Sequence, residues 1–295
     1  MRALRIVLSV VLLGAVAACG SSTPRAGGTV NVVAAENFYG DIVAQLGGDR
    51  VHVTSIISDP QADPHLYESD ARDAAAIAGA RVVIENGLGY DDFVDKLVSA
   101  SGGSDRTVLT VADVLGVHGN DANPHLWYDI PRVPEVARAI VDALSKADPA
   151  GAQQYEAALK TFDASLQPLN DAIEQIKTRH PHAPVAYTER VAGYLLAAAG
   201  LDVKSLPGFA AAIEDGNEPN ASDTAAMDDL MTNHGVKVVL YNSQAESPVT
   251  QHVRDLARKN GVPVVGVSET IPRKGQRYQD WQLEQVRALL TALGG

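Results

Sequence analysis

The 295-residue sequence has a single cysteine, a shortage of basic side chains and none of several common catalytic motifs. Because Cys19 is the only cysteine, the chain cannot form an internal disulfide bond. The 24 Lys and Arg residues against 36 Asp and Glu residues give a formal net charge of −12, which argues against nucleic acid or an anionic membrane surface as a partner. The motifs HExxH, GxSxG, GxxxxGK and GxGxxG are absent, so the sequence has no common hydrolase or nucleotide-binding signature.

The first eighteen residues have the pattern of an export signal. Two arginines precede an apolar run over 6–18, which is too short to span a bilayer as a helix. The run ends in VAAC, which resembles the lipobox of bacterial lipoproteins, where the signal is removed before a cysteine that is then acylated. We therefore predict a signal peptide over 1–18 and a lipidated tether over 19–28, with the protein anchored through Cys19 on the extracytoplasmic face of a cell membrane.

Runs rich in valine and isoleucine alternate with amphipathic helical patterns along most of the remaining chain, and this alternation predicts an α/β fold. Nearly continuous apolar strands between helices indicate parallel sheets that are covered by helices. The runs form two groups of four, which predicts two lobes over 29–148 and 180–295, each with a four-stranded, mainly parallel sheet. The predicted strands begin at Val30, His52, Ala80, Thr107, Pro184, Asp202, Val236 and Val262.

The segment between the two groups of strands has a helical pattern instead. Apolar residues recur at helical spacing from Tyr155 to Ile176, and Asp148-Pro149 forms a suitable helix start. A single helix over 149–179 would be on the order of 45 Å long and would join the two lobes. Pro168 is expected to kink or interrupt this helix, because proline removes a backbone hydrogen bond.

Four side chains at the carboxyl ends of predicted strands could bind a metal ion, because ligands of open α/β sheets gather at those ends. His65 and His125 follow the second and fourth strands of the first group. Glu189 and Glu269 follow the first and last strands of the second group. Imidazole nitrogens and carboxylate oxygens together suit a divalent transition metal. Each residue also has an ordinary structural alternative, namely a packed histidine or an acidic residue at the start of a helix.

The two histidines lie in nearly repeated contexts. ADPHLYESDARD surrounds His65 and NPHLWYD surrounds His125, so each histidine follows a proline and precedes a leucine and an aromatic residue. With these motifs the chain resembles, over essentially its whole length, the solute-binding lipoproteins of bacterial zinc/manganese ABC importers. That resemblance implies two lobes bridged by one long backbone helix, with a metal ion bound by His65 and His125 in the cleft between them.

The same resemblance implies which carboxylates complete the site. It assigns Glu189, in YTERVAGYLLAAAGL, as the third ligand and Glu269, in GVSETIP, as the fourth, where relatives usually have an aspartate. It further implies one divalent ion, Mn²⁺ or Zn²⁺, as transported ligand, an ABC permease as partner, and a monomer that is not an enzyme. Two bidentate carboxylates would complete six-fold coordination, which favours Mn²⁺ as cargo, although Zn²⁺ should bind more tightly in vitro.

Two other functions remain as alternatives to metal delivery. A metal-dependent hydrolase could use the same four residues, but it would need an open coordination position, a water molecule and a positioned base. A surface adhesin is the second alternative, because relatives have been described as adhesins, although no segment suggests a host-binding module.

The other histidines and the aromatic residues of the two motifs receive structural interpretations. Tyr67, Trp127 and Tyr128 are expected to pack around the ligands. The histidines interpreted as structural or solvated are His52, His118, His180, His182, His234 and His252.

Overall fold

The computed structural model describes residues 28–59, 67–102, 105–119 and 121–294. Within these ranges the eight predicted strands are all present, and they form two four-stranded sheets in which every pairing is parallel. The prediction of two parallel sheets is therefore confirmed. The strands are β1 (Val30–Glu36), β2 (Val51–Ile57), β3 (Val82–Glu85), β4 (Thr107–Thr110), β5 (Pro184–Tyr187), β6 (Asp202–Val203), β7 (Val238–Asn242) and β8 (Val264–Val267).

The two sheets share one topology. The strand order is β2-β1-β3-β4 in the first sheet and β6-β5-β7-β8 in the second. In each sheet the second strand lies on one side of the first strand and the third strand lies on the other, which creates a switch point between β1 and β3 and between β5 and β7. Open α/β sheets bind their ligands at such switch points. Strands β3 and β7 are buried along their whole length, which explains their continuous apolar sequences.

Helices cover the sheets and connect the strands in sequence. Several have recognisable start signals, such as the Asp70 capping box before Ala71 and the Ser247 capping box before Pro248. The helices of the described ranges are α1 (Asn37–Gly47), α2 (Ala71–Gly79), α3 (Asp92–Ser101), α4 (Val111–Leu115), α5 (Val133–Ala147), α6 (Ala152–Ser165), α7 (Gln167–Arg179), α8 (Gly193–Ala198), α9 (Pro207–Glu214), α10 (Ala221–Thr232), α11 (Pro248–Lys259) and α12 (Tyr278–Ala292).

The segment that links the sheets is helical, but its helix is interrupted. A 3-10 turn over Pro149–Gly151 leads into α6, and Leu166 separates α6 from α7. Pro168 lies in the first turn of α7, where a residue without an N–H group is tolerated. The interruption expected near Pro168 is therefore confirmed, and it divides the linking helix into two shorter helices.

The C-terminal helix packs on the second sheet and also reaches beyond it. Although α12 follows β8, it packs against α1 and α7. The Tyr278 backbone N–H donates to Asp41 Oδ2 at 2.8 Å, and Gln279 Nε2 donates to Ser165 Oγ at 3.0 Å. The last helix thus contacts the first lobe and the linking segment, and the lobe boundaries at 148 and 180 stay a prediction.

A second connection between the lobes lies beside one of the predicted ligands. Asn37, the first residue of α1, donates from Nδ2 to the Ile271 carbonyl oxygen at 3.0 Å and accepts the Ile271 N–H on Oδ1 at 2.9 Å. Ile271 lies two residues beyond Glu269. Because one amide satisfies both backbone groups, it attaches the turn that contains Glu269 to the first lobe.

The predicted signal peptide and the predicted lipidation site at Cys19 lie outside the described residues. The helices in the described part of the chain are each too short or too polar to cross a bilayer.

Candidate metal centre

His125 is fully buried and lies immediately before a 3-10 helix over Leu126–Tyr128. Asn123 Oδ1 is 2.7 Å from His125 Nδ1, and it also accepts the His125 backbone N–H at 3.1 Å. Since an amide oxygen only accepts hydrogen bonds, this contact assigns the imidazole proton to Nδ1 and the lone pair to Nε2. Nε2 is therefore the nitrogen that can bind a metal ion.

The aromatic residues after His125 hold it in place. Trp127 is buried and stacks on Phe38 with ring centroids 4.4 Å apart, and its ring centroid is 5.3 Å from that of His125. The Tyr128 hydroxyl donates to the Ser268 carbonyl oxygen at 2.8 Å, across to the turn after β8. The indole thus supports the imidazole, and the phenol connects the two lobes next to Glu269.

Glu189 is the second residue after β5 and is only 2% exposed. Its Oε2 accepts a 2.7 Å hydrogen bond from Asn242 Nδ2. Glu189 is the residue before the 3-10 turn over Arg190–Ala192, and its side chain makes no capping hydrogen bond to that turn. The backbone beyond it is fixed by Arg190, whose N–H and guanidinium both bind Glu214.

Glu269 is the second residue after β8 and is fully buried. Its Oε1 accepts a hydrogen bond from Asn242 Nδ2 at 2.7 Å, and its Oε2 accepts one from the Tyr90 hydroxyl at 2.8 Å. The same Oε2 is 3.5 Å from His125 Nε2. Since the next helix, α12, begins only at Tyr278, Glu269 does not lie at the start of a helix.

These contacts bring three of the four predicted ligands together between the two sheets. Burial of two carboxylates is costly unless a cation or hydrogen-bond donors compensate their charge. The donor set of one imidazole and two carboxylates suits a divalent transition metal. Within the described residues no three such side chains are close enough to hold a metal ion alone. The fourth predicted ligand, His65, lies outside those residues.

Tyr90 supplies a neutral donor to the site. Burial, followed by the negative charge of Glu269, raises the pKa of the Tyr90 phenol well above its ordinary value. The hydroxyl therefore stays protonated and donates a hydrogen bond to Glu269 Oε2.

A group of buried acids lies in the first sheet near the site. Glu36 ends β1, and burial, followed by the charge of Asp91 and a hydrogen bond to it, raises the pKa of Glu36 well above its ordinary value. Asp91 accepts the backbone N–H groups of Asn86 at 2.6 Å and Gly87 at 2.8 Å, yet burial still raises its pKa to about 6. Burial likewise raises the pKa of Glu85 to about 7. The backbone donors favour the charged form of Asp91, whereas burial disfavours the charged form of Glu36.

Residues 32–292 match the family described as the zinc-uptake complex component A, periplasmic. The chain belongs to this family. Its two sheets and linking helices are the shared scaffold of solved structures that resemble it. The periplasmic zinc-binding protein TroA from Treponema pallidum superposes with a TM-score of 0.77 at 21% identity, covering 90% of this chain and 99% of that one. A manganese-bound periplasmic metal-binding protein from Candidatus Liberibacter asiaticus superposes with a TM-score of 0.75 at 20% identity, covering 90% and 99%.

Relatives of this protein have names that refer to different metals. The manganese-binding lipoprotein MntA of Halalkalibacterium halodurans is 31% identical over 205 residues, which are 66% of this chain and 67% of the relative. The zinc-binding protein TroA of Treponema pallidum is 24% identical over 259 residues, covering 85% and 82%. The predicted family is therefore confirmed, and membership in it leaves the identity of the ion open.

The surroundings of the aromatic residues and of the remaining histidines match most of the predictions made from the sequence. Trp127 packs on His125 as expected, whereas Tyr67 packs on Phe93 and donates to Asp73 on α2, at 2.7 Å. The six remaining histidines are solvent-exposed or partly exposed, which confirms their interpretation as structural or solvated. They are His52, His118, His180, His182, His234 and His252.

Sequence reasoning missed the neutral side chains of the site. Asn242 contacts both glutamates, Tyr90 contacts Glu269, and Gln244 Oε1 accepts the backbone N–H groups of Glu269 and Thr270. Asn242 was available from the topology, because it ends β7, which pairs with β5 at the switch point. Because an asparagine amide is not a common metal ligand, its residue type did not mark this position as part of a metal site.

Proposed function

We propose that this protein is the extracytoplasmic binding protein of an ABC importer for a divalent transition metal, Mn²⁺ or Zn²⁺. The observation that carries the proposal is the position of three buried residues: His125, from the loop after α4, lies beside Glu269 after β8, and Asn242 connects Glu269 to Glu189 after β5. The ion is the transported cargo, His65 is the proposed fourth ligand, and the permease is the proposed partner.

The chemistry of the three residues supports metal binding. The Asn123 contact leaves His125 Nε2 as the metal-binding nitrogen, and a nearby ion would neutralise the two buried carboxylates. A binding protein must also surround its ion and release it intact. Ligands drawn from two lobes suit that task, because movement of one lobe relative to the other would separate the histidines from the glutamates.

The same burial disfavours the hydrolase alternative. A hydrolytic metal site keeps an open position for water and substrate. Here the imidazole and both carboxylates are at most 2% exposed. Nothing in the described residues favours the adhesin alternative, so metal delivery is the only function that we propose.

Equilibrium titration of metal-free protein with Zn²⁺ and Mn²⁺ tests the proposal. We expect one ion per chain, with Zn²⁺ the more tightly bound by intrinsic affinity. Glu189→Gln should weaken Zn²⁺ binding by about tenfold or more, because it replaces a charged oxygen ligand by a neutral one. His252→Gln is the control, since His252 is exposed on α11 and contacts Asp228 at 3.0 Å. Absence of stoichiometric binding, or turnover of ester, peptide or phosphate substrates, would contradict the proposal.

Anchoring through Cys19 is a separate part of the proposal with its own test. Acylation at Cys19 would hold the protein on the outer face of the membrane, where more than one acyl chain is needed for stable attachment. Cys19→Ala should therefore move the protein from the membrane fraction into the soluble extracytoplasmic fraction while its metal affinity stays unchanged. Cell fractionation with immunodetection measures this, and continued membrane association of the variant would rule out the lipid anchor.

A further inference from the structure

Asn242 occupies the position between the two carboxylates of the site. It is the last residue of β7, the strand that lies between β5 and β8 in the second sheet, so the chain segments of Glu189 and Glu269 lie on either side of it. Asn242 is 1% exposed. Its position is therefore fixed by the sheet itself, independently of the loops around it.

The orientation of the Asn242 amide follows from its hydrogen bonds. Its Oδ1 accepts the backbone N–H of Gln244 at 3.0 Å, which identifies this atom as the oxygen. The nitrogen Nδ2 then faces the site, where it donates to Glu189 Oε2 and to Glu269 Oε1, each at 2.7 Å. An amide nitrogen has two hydrogens, and both are used here.

This bridge orients each carboxylate. One oxygen of Glu189 and one oxygen of Glu269 accept from the same nitrogen, so these two oxygens point toward Asn242. The other oxygen of Glu269, Oε2, accepts from the Tyr90 hydroxyl at 2.8 Å and lies 3.5 Å from His125 Nε2. Glu269 therefore presents one oxygen to the imidazole and the opposite oxygen to the amide.

Resting on the proposed function, we infer that Asn242 determines metal selectivity by making each glutamate a one-oxygen ligand. Two imidazole nitrogens and two single carboxylate oxygens give four ligands, which is the number that Zn²⁺ prefers in proteins. Six-fold coordination of Mn²⁺ would need both oxygens of each glutamate at the ion, whereas the amide orients one oxygen of each toward β7. The expectation of manganese as cargo assumed two bidentate carboxylates, and the amide bridge removes that assumption.

Asn242→Leu tests the inference, because leucine has a similar volume and no N–H group. Paired titrations with Zn²⁺ and Mn²⁺ should show the ratio of Zn²⁺ to Mn²⁺ affinity falling by about tenfold or more relative to wild type, as is usual when a side chain that orients a metal ligand is replaced. Ser243→Ala is the matched control: Ser243 Oγ donates to the Val267 carbonyl oxygen at 3.0 Å in the same turn and contacts neither carboxylate. The control should leave the ratio unchanged.

The outcomes separate this inference from the function on which it rests. If wild type binds neither ion, the proposed function fails. If wild type binds both and folded Asn242→Leu keeps the wild-type ratio, the selectivity role of Asn242 is overturned. X-ray absorption of Zn²⁺-loaded wild type gives a measurement that needs no variant. Four nitrogen and oxygen neighbours support the inference, and five or six, with bidentate glutamates, overturn it even where the leucine variant does not fold.

Discussion

A thousandfold excess of Zn²⁺ over its Kd is expected to raise the free energy of unfolding by about 4 kcal/mol, and His125→Ala should remove most of this increase. The increase follows from mass action, because a ligand that binds only the folded protein stabilises it. For a chain of this size it corresponds to a rise in Tm of roughly 10 °C. His65→Ala should have the same effect if that residue is the fourth ligand.

The comparison must use the increase on metal addition and not the Tm of each variant alone. His125 is fully buried and packs against Trp127, so its removal also leaves a cavity and destabilises the metal-free protein. Thermal unfolding of each variant with chelator and with Zn²⁺ separates the two effects. His252→Ala should keep the full metal-dependent increase. A full increase in His125→Ala would mean that this histidine is not a ligand.

Glu36→Gln is expected to remove a large pH dependence from the stability of the metal-free protein. An unfolded glutamate ionises near pH 4.5, whereas burial and Asp91 raise the pKa of Glu36 in the folded protein well above that value. The folded protein therefore retains a proton that the unfolded chain loses. The resulting stabilisation is complete below pH 4.5 and decreases by about 1.4 kcal/mol for each pH unit up to the folded pKa.

Asp91 and Glu85 also stabilise the folded protein less as the pH rises, because their pKa values are raised to about 6 and about 7. We therefore expect the free energy of unfolding of wild type to fall between about pH 5 and pH 8. Since glutamine is neutral, the free energy of unfolding of Glu36→Gln should fall less than that of wild type between about pH 5.5 and 7.5. Chemical denaturation at both pH values, with chelator present, measures the difference. Glu174→Gln, an exposed residue on α7, is the control. An equal pH dependence in wild type and Glu36→Gln would show that Glu36 does not hold the proton.

Much of the fold could be predicted because its signals are local. Each central strand is a run of apolar residues that is buried on both faces, and the linking segment has helical periodicity with a proline near its interruption. Less could be predicted where pairing decides the structure. The run that begins at Asp202 contributes only two residues to β6, which pairs with β5 alone at the edge of its sheet.

The candidate site was predictable to the extent that strand ends identify it. His125, Glu189 and Glu269 were predicted because they are residue types that bind metals; Glu189 and Glu269 do follow strands, whereas α4 separates His125 from β4. Asn242 was not found because an amide is an uncommon metal ligand, and Tyr90 was not found because its role depends on a contact across the cleft to Glu269. Cys19 and His65 lie outside the described residues, so lipidation and the fourth ligand stay predictions.

The path of α12 has a consequence for the way the protein could change during evolution. Because this helix packs against α1 and α7 as well as β8, the second half of the chain supplies part of the packing of the first half. A recombinant that joined the first half of one relative to the second half of another would place α12 from one parent on partners from the other. Exchange of lobes between relatives is therefore constrained by an interface far along the sequence from the point of exchange. Diversification of metal preference is more accessible through single replacements at the strand ends, where a change at Asn242 or Glu269 leaves that interface intact.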